Sequence, residues 1–112
     1  MSRKLGDKGE DLALAYLKKH GFKCLARNYY CRFGEIDIIG LINKILIFVE
    51  VKKRNSATFG EAAEMVGVAK QTKIIKTAQF FLNENRKYQV YVCRFDVIAI
   101  TGDDINWIEA AF

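Results

Sequence analysis

Residues 34–54, GEIDIIGLINKILIFVEVKKR, restrict the fold more than any other stretch of the chain. Two segments rich in Ile and Val, 34–41 and 45–53, flank Ile42, Asn43 and Lys44, which predicts a β-hairpin. Asn-Lys marks that turn less strongly than Asn-Gly would. Strand side chains alternate between faces, so the charges are read two residues at a time. Ile47, Val49 and Val51 share the side expected to be core, with Ile36 and Ile38 beside them across the hairpin. Phe48, Glu50 and Lys52 share the other side, as do Glu35 and Asp37. This register brings Asp37 and Glu50 onto one surface, with Lys52 next along its strand.

The flanking sequence predicts what covers the hairpin. Residues 6–20 read as an amphipathic helix ending at Gly21, with Leu5, Leu12, Ala13, Tyr16 and Leu17 on one face. Glu10 falls beside Ala13 and Leu17, on the edge of that apolar stripe rather than among the other charges. Residues 23–31 predict a first strand, and 55–68 a loop with a short helical turn over 61–66. A longer helix is expected over 69–85, with Ile74, Ile75, Ala78, Phe81 and Leu82 at core spacing. Segments 89–93, 95–101 and 105–108 supply further strand. Helix, three strands, helix, strands is the order of an α/β domain, a mixed sheet flanked by helices. At 112 residues it forms a single domain, 1–112.

Two carboxylates brought together repel, unless a cation lies between them. A divalent metal resolves the conflict, and hard oxygen ligands suit Mg²⁺ or Mn²⁺. A lysine beside such ligands can orient an attacking water or offset charge on a phosphate. Glu50-x-Lys52 alone also fits a solvated strand face with a cross-strand ion pair. Glu10 reads either as a further carboxylate for the same site or as an acid favoured by its helix N-terminus.

Lys53 and Arg54 extend the charge at the strand end. Lys70, Lys73 and Lys76 recur every three residues on one helix face, which also fits an ordinary solvated surface. Lys70 and Gln71 open that helix, where side chains and backbone N–H groups can meet phosphate. His20, the sole histidine, stands at a helix C-terminus, where it can cap carbonyls, so histidine-based triads are not expected. Arg94 and Asp96 share a strand face as a pair. Tyr29 and Tyr30 fit either base stacking or half-buried strand positions. No Gly-rich phosphate loop is present.

Composition sets wider limits. A formal charge of +5 and an isoelectric point near 9.2 are compatible with nucleic acid without requiring it. The longest apolar run, residues 45–49, is far short of the ~20 residues a membrane span needs, so no membrane partner is expected. The opening MSRKLGDKGED lacks the apolar core of a signal peptide. Cys24, Cys31 and Cys93 lack metal-site or redox spacing and read as reduced thiols of a cytoplasmic protein.

Several motifs occur in order along nearly the whole chain: GDKGEDLALAYLKKHGF, LARNYYCRFGEIDII, IFVEVKKR, AKQTKIIKTAQFFL, CRFDVIAI and the terminal IEAAF. By these the chain resembles the YraN family of small bacterial proteins, within the PD-(D/E)xK nuclease superfamily. The resemblance implies a restriction-endonuclease-like fold, similar to archaeal Holliday-junction resolvases. The superfamily's aspartate maps onto Asp37, its Glu-x-Lys onto Glu50 and Lys52, and the resolvase-like helical glutamate onto Glu10. A Lys or Gln that follows the last catalytic strand in some relatives corresponds to Lys70 or Gln71. Ile36 stands where the superfamily's name has proline.

The reading that follows is a Mg²⁺- or Mn²⁺-dependent nuclease acting on DNA, branched or structured DNA included. Asp37, Glu50, Glu10 and the Val51 carbonyl are its expected metal ligands, and Lys52 its catalytic lysine. Lys53, Arg54, Lys70, Gln71 and Lys73 are expected at the nucleic acid, on phosphates rather than bases. Resolvase-like relatives often act as dimers, so a homodimer is an open expectation. The rival reading is a non-catalytic nucleic-acid-binding module, or an adaptor, that keeps the fold.

Overall fold

The computed structural model describes residues 8–54 and 66–112. The elements are α1 (Lys8–Lys19), β1 (Lys23–Cys31), β2 (Gly34–Ile42), β3 (Ile45–Arg54), α2 (Val68–Glu84), a 3₁₀ turn (Arg86–Val90), β4 (Val92–Thr101) and β5 (Asp104–Ile108). The five strands form one sheet in sequential order, β1-β2-β3-β4-β5. All neighbours are antiparallel except β3 and β4, which run parallel in register from Ile45↔Val92 to Arg54↔Thr101. A parallel pair needs a crossover, and α2 lies in that connection. The α/β order read from the sequence is the observed one. The expected loop over 55–68 and its helical turn lie largely outside the described residues, as do residues 6 and 7 of the first helix.

Local chemistry explains the boundaries. The first helix stops at Lys19, and Gly21 reverses the chain at φ 90°, a conformation a Cβ would disfavour. His20 donates from Nδ1 to the Tyr16 carbonyl at 2.9 Å, the capping role expected of it. Between β2 and β3 the turn is two residues long, and Asn43 takes φ 54°, which asparagine tolerates better than most residues.

The sheet is buried on both faces. Ala13 and Leu17 of α1 pack with Ile38, Ile47, Val49, Ile98 and Ile100 on one side. Ile74, Ala78 and Phe81 of α2 pack with Ile36, Ile39, Leu46, Phe48 and Val97 on the other. Alternation alone assigns the hairpin a single core side. Phe48, expected on the other side, is only 1% exposed, because α2 covers it. Ile36 and Ile38, expected to share a face, lie in different clusters, so alternation breaks at Asp37.

Two further expectations need correction. Ile75, placed among the core positions of the second helix, is 39% exposed, and Thr77 is buried there instead. Its hydroxyl donates to the Lys73 carbonyl at 2.8 Å, so no polar group is stranded. Residues 89 and 90, read as strand, belong to the 3₁₀ turn, held by Tyr88 stacking on Phe81 with ring centroids 6.0 Å apart. No helix among the described residues is long and apolar enough to cross a membrane.

Candidate active site

The break at Asp37 is where the site begins. Paired register between β2 and β3 runs from Ile42↔Ile45 to Ile38↔Val49. One residue further, the Asp37 carboxylate accepts a hydrogen bond from the Val51 backbone N–H at 2.8 Å. A side chain here replaces a backbone partner and ties the two strands together. Asp37 and Glu50 follow each other in that extrapolated register, and both are buried, at 8% and 6% exposure. Burial of two acids requires compensating charge.

For Glu50 that charge comes from α2. The Lys70 ammonium lies 2.5 Å from Glu50 Oε2. Burial works against the Lys70 charge, but the bond to Glu50 and the fields of Glu50 and Asp37 outweigh it. The ammonium is therefore held above its ordinary value. Lys52 follows Glu50 by two residues on the same face of β3. The Lys70 ammonium thus pairs with Glu50 and lies in the field of Asp37 on the adjacent strand. Glu50 and Lys52 share the face of Phe48, the α2 side, which is why a lysine in the first turn of that helix reaches them.

The approach of α2 depends on Gly34. A Cβ at Gly34 would stand 3.3 Å from Lys73 Cβ and 3.4 Å from Thr77 Oγ1, and its φ of 153° is unfavourable for other residues. Next to the acid pair, Gly34, Glu35, Ala69, Lys70, Lys73 and Ile74 line an open cavity of about 340 Å³. Lys73 therefore lines the same cavity as Lys70. Glu35, not among the sequence candidates, lines the same space. Its spacing of two residues from Asp37 was the signal available for it.

Glu10 is placed differently. It is 4% exposed on α1, on the opposite side of the sheet from Lys70. Arg27 Nη2 lies 3.3 Å from Glu10 Oε1 and 2.9 Å from Asp11 Oδ1. Arg27 pairs with Ile38, so this cluster stands one residue along β2 from Asp37. Among the described residues, no three His, Cys, Asp or Glu side chains converge as a metal-ligand group. The structure brings together Asp37, Glu50 and Lys70, with Lys52 next along β3, and Glu10 is engaged by Arg27.

The remaining candidates are positioned as follows. Gln71 donates its side-chain amide to the Val66 carbonyl at 2.7 Å and so secures the start of α2. Val51, Lys53 and Arg54 end β3 next to Lys52. Tyr29 packs edge-on against Phe81 at 5.2 Å, the half-buried strand role, whereas Tyr30 is 70% exposed. Arg94 and Asp96 do pair, through two bonds of 2.9 Å.

The donor set fits a divalent ion. Asp37 and Glu50 offer hard carboxylate oxygens at a buried position that already holds one cation, the Lys70 ammonium. An incoming metal would compete with that ammonium for Glu50.

The sequence profile of the Uncharacterised protein family UPF0102 matches residues 9–100. A UPF0102 protein of Saccharophagus degradans is 50% identical over 107 residues, which cover 96% of this chain and 91% of that protein. One from Vibrio parahaemolyticus is 49% identical over 111 residues, covering 97% and 92%. Another, from Stutzerimonas stutzeri, is 44% identical over 115 residues, covering 99% and 96%. The chain belongs to the UPF0102 family, the YraN family of the resemblance drawn from its motifs.

Proposed function

We propose that this UPF0102 protein is a metal-dependent nuclease that hydrolyses phosphodiester bonds, with DNA as its substrate. One observation carries the reading: two buried carboxylates on adjacent strands lie in the field of the Lys70 ammonium, which pairs directly with Glu50. A solvated strand face would not bury its acids. The order of elements and the Asp37, Glu50 and Lys52 motif are those implied by the PD-(D/E)xK resemblance, which supports the same reading.

Asp37 and Glu50 would hold Mg²⁺ or Mn²⁺, with the Val51 carbonyl as a further ligand. Bound there, the ion would supply Lewis-acid polarisation of the scissile phosphate. Lys52 orients the attacking water and offsets negative charge developing on the phosphoryl oxygens. Lys53, Arg54 and Lys73 position the backbone through its phosphates, without reading sequence. Glu10 has a positioning role: through Arg27 it fixes the stretch of β2 that carries Asp37.

Calorimetric titration with Mg²⁺ and Mn²⁺ tests the site. Asp37→Asn and Glu50→Gln should each abolish most of the binding, and equal affinity in all three proteins would remove the metal from the reading. Cleavage is tested on duplex, single-stranded, flapped and four-way DNA, and on RNA, with each metal. A folded wild type that binds these substrates and cuts none would make the protein a nucleic-acid-binding module. The ion pair of Glu10 with Arg27 is the observation that favours this second reading.

A further inference from the structure

Beyond Lys73, the outward face of α2 leads to a second cavity. It has a volume of about 470 Å³, between the β1–β2 turn and the helix. Arg32 and Phe33 line it from the turn, and Lys76, Gln79, Phe80 and Asn83 from the helix. The Arg32 guanidinium stands 4.9 Å over the Phe33 ring. Phe33 and Phe80 face each other at 6.4 Å with their planes at 66°. Neither ring belongs to the two core clusters. Two half-buried aromatic side chains are thus placed at a cation-lined cavity outside the two core clusters. Glu84, one turn beyond Phe80, stands at the end away from the lysines.

The ligand is defined by what these groups offer together. Ring faces with a guanidinium stacked on one of them favour a flat π system. The Gln79 and Asn83 amides can meet a hydrogen-bonding edge. Lys76 and Arg32 favour an anion attached to it. A nucleobase with its phosphate has all three features, and an apolar peptide has only the first. The base must be unpaired, because one stacked inside a duplex presents no free face.

Placement along the helix links this cavity to the acid pair. Lys70, Lys73 and Lys76 follow one another at three-residue steps, and Phe80 comes one turn after Lys76. At 1.5 Å per residue, Lys70 and Phe80 are about 15 Å apart along the axis. That is roughly four nucleotides at a stacked spacing of 3.4 Å. We infer that the Phe33–Phe80 cavity receives an unpaired base about four nucleotides from the acid pair, with Lys73, Lys76 and Arg32 on the intervening phosphates. The inference rests on the nuclease reading for the role of the acid pair, and it specifies the substrate as one with a single-stranded segment.

Binding is measured by fluorescence anisotropy in EDTA, which prevents cleavage and needs no metal. The probes are a labelled ten-nucleotide single strand and a blunt duplex. Wild type should prefer the single strand. Phe33→Leu and Phe80→Leu should each weaken that binding on the order of tenfold, with duplex affinity and melting temperature unchanged. A 2-aminopurine in the single strand should be quenched by wild type and not by these variants. Arg32→Ala/Lys76→Ala, both at exposed positions, should flatten the log–log salt dependence by about 0.7 for each phosphate no longer neutralised. Unchanged single-strand affinity in both phenylalanine variants, or an unchanged salt slope in the double variant, overturns the base site. In that case cleavage by wild type would leave the nuclease reading standing. If wild type binds neither probe and cuts nothing, both fall.

Discussion

Asp96 and Glu50 lie on neighbouring parallel strands, one step apart in register, yet they are held in opposite ways. Asp96 is fully buried and accepts four hydrogen bonds of 2.9 Å: two from Arg94, one from Trp107 Nε1 and one from the Ala110 N–H. Those four donors use the whole accepting capacity of a carboxylate. They come from β4, β5 and the C-terminal turn, so Asp96 fastens the last strand to the sheet. Glu50 meets α2 through one lysine whose side chain is 47% exposed. An ammonium on a flexible stem can be exchanged for another cation, whereas a bidentate guanidinium with an indole and a backbone amide cannot. The function of a buried acid in this protein is therefore read from its partners. Asp96 is structural, and on the proposed reading Glu50 exchanges its lysine for a metal ion.

The largest test of this contrast is thermodynamic. Asp96→Ala should lower unfolding stability by about 3–5 kcal/mol, since it leaves the Arg94 charge without its main partner. Glu50→Gln should leave stability nearly unchanged or raise it. Urea denaturation of the two variants decides the point, and equal losses would erase the distinction. Next in size is Lys52→Ala, which should lower the cleavage rate by roughly 10²–10³-fold while metal affinity and fold persist. Single-turnover cleavage that matches wild type would leave Lys52 as a mere neighbour of the pair.

A smaller effect sharpens the idea of exchange itself. Lys70→Met removes the competing cation, so Mg²⁺ should bind about two- to fivefold more tightly by calorimetry, in line with a partly exposed ion pair. Weaker binding would show that Lys70 holds Glu50 in position instead. The smallest effect concerns the basic surround. Lys53→Ala and Lys73→Ala should each flatten the salt dependence of duplex binding by about 0.9. A slope that does not move would make them a solvated surface.

Much of this was legible in the sequence because it is local. Period-two alternation identified the hairpin and brought Asp37, Glu50 and Lys52 to one surface. Helical periodicity located α2 within a residue at either end, and the three-residue lysine repeat was visible on it. The break at Asp37 was not legible, because it depends on a carboxylate meeting the Val51 amide fourteen residues away. Nor was the second core, since Phe48 is buried only by a helix that arrives later in the chain. Spacing marks Lys70 as a phosphate contact; its bond to Glu50 follows from the packing of α2 on the sheet, which no spacing rule encodes. Thr77 escapes the pattern for a simpler reason: a hydroxyl counts as polar there, and in the fold the helix backbone satisfies it.

The parallel pairing of β3 with β4 has a consequence for how the protein is made. The β2–β3 hairpin needs only partners close in sequence and can form as soon as its residues leave the ribosome. Ile45 and Val92 are 47 positions apart, so their pairing must wait for α2 and β4. Until then Asp37 and Glu50 sit on a nascent hairpin without the lysine that balances them. The acid pair reaches its buried, compensated form only when the crossover closes. On the nuclease reading, a chain halted before α2 would carry both acids without Lys70 or the β4 neighbour of β3, so the proposed site would be completed late in folding.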